Sequence, residues 1–274
     1  MKLVKSYLTK NPCYKNNVNA KALYDSGQDK RYWTFQQRGP QGLMLHSVGC
    51  AQPSAPVFIN SWNQESYDYS CVHGVIDAND GTVYQCLPWN YRGWHGGGSS
   101  NNTHVGVEMC ESKYIRYLEV GESGYAPGKF VIKDKAKAQA DCTRAYKAAV
   151  ELFASICKEY NLNPLISIVS HYEGGKQGIA SGHGDPEHYW KGLGMSYTMD
   201  KFRADVKLAM QSKVFPFVDV PDGKFYTEAI HWAWENEIVE GVDETHFKPD
   251  NKPTRGQIVT MMYRLAKWLE ERGG

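Results

Sequence analysis

Four side chains able to bind a metal or move a proton, His171, His183, Asp185 and His188, fall within one stretch, Ser170 to Trp190, SHYEGGKQGIASGHGDPEHYW. The stretch is glycine-rich and follows the apolar run Leu165-Ile166-Ser167-Ile168-Val169, which reads as a buried strand. The end of such a strand is where a rigid scaffold can hold a loop of functional groups. Imidazole and carboxylate suit zinc, and a hydrolytic zinc keeps its fourth position open for water. Far upstream, Gly42-Leu43-Met44-Leu45-His46-Ser47 is a second apolar strand that ends in a histidine. Two histidines on neighbouring strand ends and one loop donor would form a three-ligand catalytic site. Taken alone, His46 reads as a strand-end histidine bonded to backbone; its pairing with the distant loop is what points to a metal. For the third donor the residues leave Asp185, His183 and His188 open.

The elements that must position these groups can be traced along the chain. Residues 1–40 are polar, rich in Asn, Tyr and Lys, and read as an irregular wrap around the rest. After the strand at 42–47, the prolines of the Cys50–Pro56 loop break regular structure. Val57–Trp62 fits either a helix start or an extended segment. Ser70–Ile76 and Thr82–Leu87 read as strands joined at Asp80-Gly81, a turn signal. Thr103–Met109 reads as another strand, with Glu108 near its end. From Lys133 to Tyr160 the period becomes helical: Tyr146, Ala149, Val150, Phe153, Ile156, Cys157 and Tyr160 share a face that should cover the sheet. Asn161-Leu162-Asn163-Pro164 stops that helix, and a last helix spans about 199–211. The fold class expected is α/β, a mixed central β-sheet flanked by helices, followed by a small helical module.

Bulk composition excludes several functions. The 274 residues carry 31 Lys plus Arg against 30 Asp plus Glu, so no strong overall field favours a polyanion. Residues 213–274 hold 8 basic and 11 acidic groups, leaving the rest mildly basic. No Lys/Arg-rich run or aromatic-basic repeat suggests a nucleic-acid partner, and no apolar run of about 18 residues suggests membrane insertion. The N-terminus MKLVKSYLTKNPCYKNN shows no sustained apolar core or cleavage site of a secretion signal, which sets the expectation of cytoplasmic synthesis. The cysteines at 13, 50, 71, 86, 110, 142 and 157 are odd in number, lack a CxxC pair and read as reduced thiols. Cys50, four residues after His46, reads as a free or buried thiol rather than a ligand.

Five motifs occur in one order: LMLHS (43–47), WHGG (94–97), VGVEMC (105–110), VSHYEG (169–174) and GHGDP (182–186). Together they resemble the zinc N-acetylmuramoyl-L-alanine amidases, the type shared by phage endolysins and, more distantly, peptidoglycan recognition proteins. The resemblance covers roughly residues 20–210 and implies the amidase/peptidoglycan recognition fold over a catalytic domain at 1–212, with the hairpin above as its central one. It implies Zn2+ as cofactor, with His46, His171 and Asp185 as ligands, Asp185 being favoured by the Asp-Pro match. His188 is then expected to turn its ring to the surface near Tyr189 and Trp190. The resemblance assigns Glu108 the general acid and base role, against the bland reading of a strand-end carboxylate. His183 stands where many relatives carry lysine and would stabilise the oxyanion; a loop histidine at the cleft rim is the competing reading. Some relatives place a tyrosine on the hairpin where this chain has Val72 followed by His73. Trp94, His95, Asn101 and Asn102 are expected to line the cleft for the stem peptide, or else to serve packing and a tight loop.

A new unit, 213–274, begins at residues 213–217, and its run from Phe217 to Trp268, FVDVPDGKF through YRLAKW, resembles a surface-layer homology (SLH) module. Thr227 can cap a helix that places Ile230 and Trp234 on one face. Thr254 with Gln257 forms a capping-box signature before Ile258, Met261, Met262, Leu265 and Trp268. Such modules usually occur in tandem, so two expectations stand: binding of a secondary cell-wall polymer with Arg255 as a contact, or packing and oligomerisation. The function implied is hydrolysis of the amide between N-acetylmuramic acid and L-alanine in peptidoglycan by a phage or prophage endolysin released through a holin. The alternatives are a non-catalytic peptidoglycan-binding recognition protein and a host autolysin.

Overall fold

A computed structural model describes residues 1–28, 35–36, 38–211 and 215–272. Its strands are β1 (Leu3–Lys5), β2 (Gly42–Ser47), β3 (Gly74–Ile76), β4 (Val83–Gln85), β5 (His104–Met109), β6 (Ile115–Tyr117), β7 (Phe130–Ile132) and β8 (Ile168–Ser170). Six of them form one sheet in the order β1-β4-β3-β5-β2-β8. The run β3-β5-β2-β8 is parallel, β4 is antiparallel to β3, and β1 returns parallel to β4. The mixed α/β sheet flanked by helices is therefore the fold expected from the sequence.

Helices supply the cover: α1 (Pro12–Asp25), α2 (Ala55–Trp62), α3 (Lys135–Glu159), α4 (Pro164–Ser167), α5 (His171–Lys176), α6 (Glu187–Gly192) and α7 (Met199–Gln211). The long α3 packs over β3 and β5 and buries Tyr146, Ala149, Leu152, Phe153, Ile156 and Cys157. Phe202 of α7 meets Phe153 and Tyr146 edge-on, closing that layer. Among the described residues no helix is long and apolar enough to cross a membrane, and none of the seven cysteines is paired.

Three expectations need correction. Within residues 1–28 the N-terminal segment is not an irregular wrap: β1 extends the sheet, and Asn11 caps α1 by accepting from the Cys13 amide at 2.8 Å, with Pro12 in the first turn, while 29–34 and 37 lie outside the described residues. Because α1 buries little beyond Asn17 and Ala20, it carries no apolar period to read. The run 165–169 is only partly a strand. Asn163 accepts from the Leu165 amide at 3.1 Å and starts the short α4, so Leu165 and Ile166 are exposed and pairing begins at Ile168. The expected strand from Ser70 begins only at Gly74, since Cys71 exchanges both backbone hydrogen bonds with Trp94 at 2.9 Å.

The chain divides into two compact units, Met1–Met210 and Gln211–Gly274; the domain boundary expected at 212/213 lies outside the described residues. The second unit holds α8 (Thr227–Glu235) and α9 (Arg255–Arg272). Phe217, Val220 and Ile230 form its small core, with Trp234 packed against it. Thr254 and Gln257 form the reciprocal capping box, at 2.8 and 3.2 Å. Thr227, by contrast, does not cap α8, because its hydroxyl donates to the Pro221 carbonyl at 2.7 Å.

Candidate metal centre

Alternation along β2 and β5 sorts their side chains onto two faces. Leu43, Leu45, Val105 and Val107 join the core under the helices, which leaves Met44, His46, Gly106 and Glu108 on the opposite face. His46 and Glu108 are register partners and so rise side by side. On the other flank of β2, β8 ends at Ser170, where a capping box starts α5. The Ser170 hydroxyl accepts from the Glu173 amide at 3.0 Å, and the Glu173 carboxylate accepts from the Ser170 amide at 3.1 Å. Arg203 grips the same carboxylate at 2.8 and 3.0 Å. His171 is thereby fixed as the first residue of a helix beside the end of β2. Asp185 is tied to that end as well, its carboxylate accepting from the Ser47 amide at 3.3 Å.

These three placements bring the donors together. His46 Nδ1 lies 3.0 Å from His171 Nδ1 and 3.5 Å from Asp185 Oδ2, and His171 Nδ1 lies 3.6 Å from Asp185 Oδ1. Among the described residues, this is the group of His, Cys, Asp and Glu donors that gathers within 4.8 Å. The three residues are only 1, 5 and 7 % exposed. Burial lowers the His46 pKa, with the Asp185 contact opposing it. Burial would raise Asp185, but His171 and His46 outweigh it and hold the carboxyl well below the usual range. Two imidazoles and a carboxylate make a hydrolytic zinc set, and donors around a tetrahedral zinc stand about 3.3 Å apart. The cluster fits zinc.

Further groups surround the donors. His46 Nε2 lies 3.0 Å from His95 Nδ1, and His95 Nε2 donates to the His104 carbonyl at 2.9 Å. His171 Nε2 lies 3.1 Å from Ser181 Oγ, which is 3.3 Å from the Gly96 carbonyl. The cluster opens into a cleft of about 880 Å³, walled by Glu108, Tyr117, Lys176, His183 and His188 among others. Glu108 Oε2 is buried there without a hydrogen-bond partner. Burial first, then the Asp185 and Glu111 carboxylates, push the Glu108 carboxyl well above its ordinary range.

Residues 36–188 match the N-acetylmuramoyl-L-alanine amidase family, and residues 216–259 match the S-layer homology domain. The chain belongs to the N-acetylmuramoyl-L-alanine amidase family. Its fold is similar to that of Staphylococcus aureus hydrolase AmiA in complex with its ligand, at 17% identity and a TM-score of 0.52, covering 77% of this chain and 83% of that one. The solution structure of the PlyG catalytic domain also matches, at 19% identity and a TM-score of 0.44, covering 79% and 99%. No curated protein matches the chain. Membership supports a peptidoglycan amidase activity.

In this amidase His183 lies at the cleft lip, its ring stacked on His171 at 4.2 Å between centroids and its Nδ1 3.8 Å from Asp185 Oδ1. Trp94 is exposed, with the Arg92 guanidinium over its ring at 5.1 Å, and it does not wall the cleft. Asn101, expected in the cleft, is instead buried, and its carboxamide oxygen accepts from the amides of His95 and Gly96 at 2.7 and 2.8 Å. Asn102 accepts from Arg92 at 2.5 Å and is likewise absent from the cleft wall. Of the four residues expected to line the cleft, His95 alone does. Val72 and His73 are buried, His73 donating to the Tyr91 carbonyl and accepting from the Gly106 amide. Arg255 sits exposed in the first turn of α9.

His188 departs from expectation. Rather than facing the surface, it turns to the cleft, with Nε2 2.8 Å from the Tyr117 hydroxyl. Tyr117 in turn donates to the buried Glu111 carboxylate at 2.6 Å. Sequence reading missed Glu111, Tyr117 and Ser181. Glu111, three residues beyond Glu108, lies just past β5, and Tyr117 belongs to the two-stranded hairpin β6–β7, too short to show a period.

Proposed function

We propose that this amidase is a zinc-dependent hydrolase of the bond between the lactyl group of N-acetylmuramic acid and L-alanine. The buried His46–His171–Asp185 cluster, opening into a cleft beside an unpartnered buried carboxyl, carries the reading. His46 Nδ1, His171 Nδ1 and an Asp185 oxygen would hold the ion. When bound, zinc supplies a Lewis acid for the amide carbonyl and lowers the pKa of water from 15.7 toward about 7.

Glu108 takes the proton of the attacking water at its carboxylate and returns it to the departing L-alanine nitrogen. Burial and the neighbouring Asp185 and Glu111 carboxylates raise its pKa, which makes the carboxylate a stronger base toward that water. His183, at the cleft lip, donates a hydrogen bond to the tetrahedral oxyanion, the role a lysine would fill. Trp94 offers its exposed indole face outside the cleft wall to the flanking substrate. The SLH region holds the enzyme on a secondary cell-wall polymer, with Arg255 as one contact.

Digestion of purified peptidoglycan tests the reading. New L-alanine amino termini should appear, with no new reducing sugars, and chelation should stop their release. Reducing ends without new amino termini would mean glycosidase chemistry and overturn it.

A further inference from the structure

We infer that the loop bearing His95 and Gly96, with Ser181, is a clamp that presets the tautomers of both ligand histidines; this rests on the zinc reading. The His104 carbonyl can only accept, so His95 carries its proton on Nε2, 2.9 Å away. A neutral imidazole that holds its proton on Nε2 presents a bare, accepting Nδ1. That nitrogen therefore accepts at 3.0 Å from His46 Nε2–H, and a neutral His46 is left with its lone pair on Nδ1.

The second ligand is set the same way from the other side. Ser181 Oγ donates to the Gly96 carbonyl at 3.3 Å and so accepts at 3.1 Å from His171 Nε2–H. This leaves the His171 lone pair on Nδ1, facing that of His46 at 3.0 Å. Two adjacent residues, His95 and Gly96, thus orient both imidazoles, and the buried Asn101 carboxamide pins the amides of both. Gly106 is part of the device. A Cβ there would lie 2.3 Å from His95 Cγ and Nδ1, so the ring rests on the bare backbone of β5. His95 and Ser181 are positioning residues, acting through the ligands rather than on substrate.

Zinc affinity, measured by chelator competition on the full chain, tests the clamp. His95→Leu should bind about 10–100-fold more weakly than the unaltered protein. His95→Asn places a carboxamide oxygen near the lost Nδ1 and should recover most of that loss. Gly106→Ala keeps every hydrogen-bonding group but displaces the ring, and should weaken zinc in the same direction. If Asn loses as much as Leu, ring packing rather than the accepted proton fixes His46, and the clamp is wrong. Equal affinity in all variants overturns it too. An unaltered protein that binds no zinc overturns the zinc reading instead. The clamp is then decided by long-range proton–nitrogen correlation spectra of the metal-free, unaltered protein at alkaline pH. His46 protonated on Nε2 supports it, and His46 protonated on Nδ1 overturns it.

Discussion

His46 on β2 and Glu108 on β5 stand directly opposite one another in parallel register, on the face of the sheet away from the helix-covered core. The same pairing that zips two strands together sets a candidate metal donor beside a buried carboxyl. A one-residue slip would turn both groups into the core. Glu108→Gln keeps size and register but cannot take a proton. Turnover should fall about 10²–10⁴-fold while zinc content, measured by elemental analysis, stays near that of the parent. Loss of zinc together with activity would assign Glu108 to metal binding instead.

Asp185 and His188 separate by what they touch. Asp185 meets both His46 and His171, whereas His188 Nε2 is engaged with Tyr117. Asp185→Ala should lose most zinc and activity; His188→Ala should retain the metal and loosen the β6–β7 wall of the cleft. Elemental analysis of the two purified variants checks this, and the opposite pattern would transfer the third ligand to His188.

Glu111 gives the fold a pH dependence. It is fully buried, and burial, partly offset by the Tyr117 hydrogen bond, pushes its carboxyl from 4.5 up to about 7. Between those values the native state keeps a proton that the unfolded chain has released, so stability falls as pH rises. The contribution is fully present below about pH 4.5 and is lost as pH climbs through about 7. That difference corresponds to about 3 kcal/mol. Relative to Glu111→Gln, the parent should lose stability of this order between pH 4.5 and 8 in urea titrations. A pH-independent difference between the two proteins would refute the assignment.

The parts of this structure legible in the sequence are those whose reason is local. The apolar runs of β2 and β5 and the helical period of α3 declare themselves, and the capping box at Thr254 is a four-residue pattern. His46, His171 and Asp185 come together in space as their motifs implied. What escaped reading depends on distant partners. Asn101 is spoken for by the amides of His95 and Gly96, and His188 turns inward because Tyr117, 71 residues away, offers it a hydroxyl. The polar helix α1 follows from Asn11, whose side-chain nitrogen donates to the Trp62 and Ser70 carbonyls. No short-range pattern encodes such pairings.

The C-terminal unit invites the last prediction. Its buried core is small, built on Phe217, Val220 and Ile230. Along α9, Ile258, Val259, Met262, Tyr263 and Leu265 are exposed, so these apolar side chains are not buried within the unit. We propose that this unit targets the amidase to a secondary cell-wall polymer, since a tethered module raises the effective concentration of an enzyme at an insoluble substrate. Assembly through the exposed face of α9 is the rival account. Truncation after Met210 separates them. Under targeting, the truncated enzyme should cleave soluble muropeptides at the parent rate but bind intact walls less well, and stripping the polymer from the walls should erase the difference. If truncation leaves wall binding unchanged and instead lowers the molar mass seen by light scattering, the unit serves assembly and targeting is wrong.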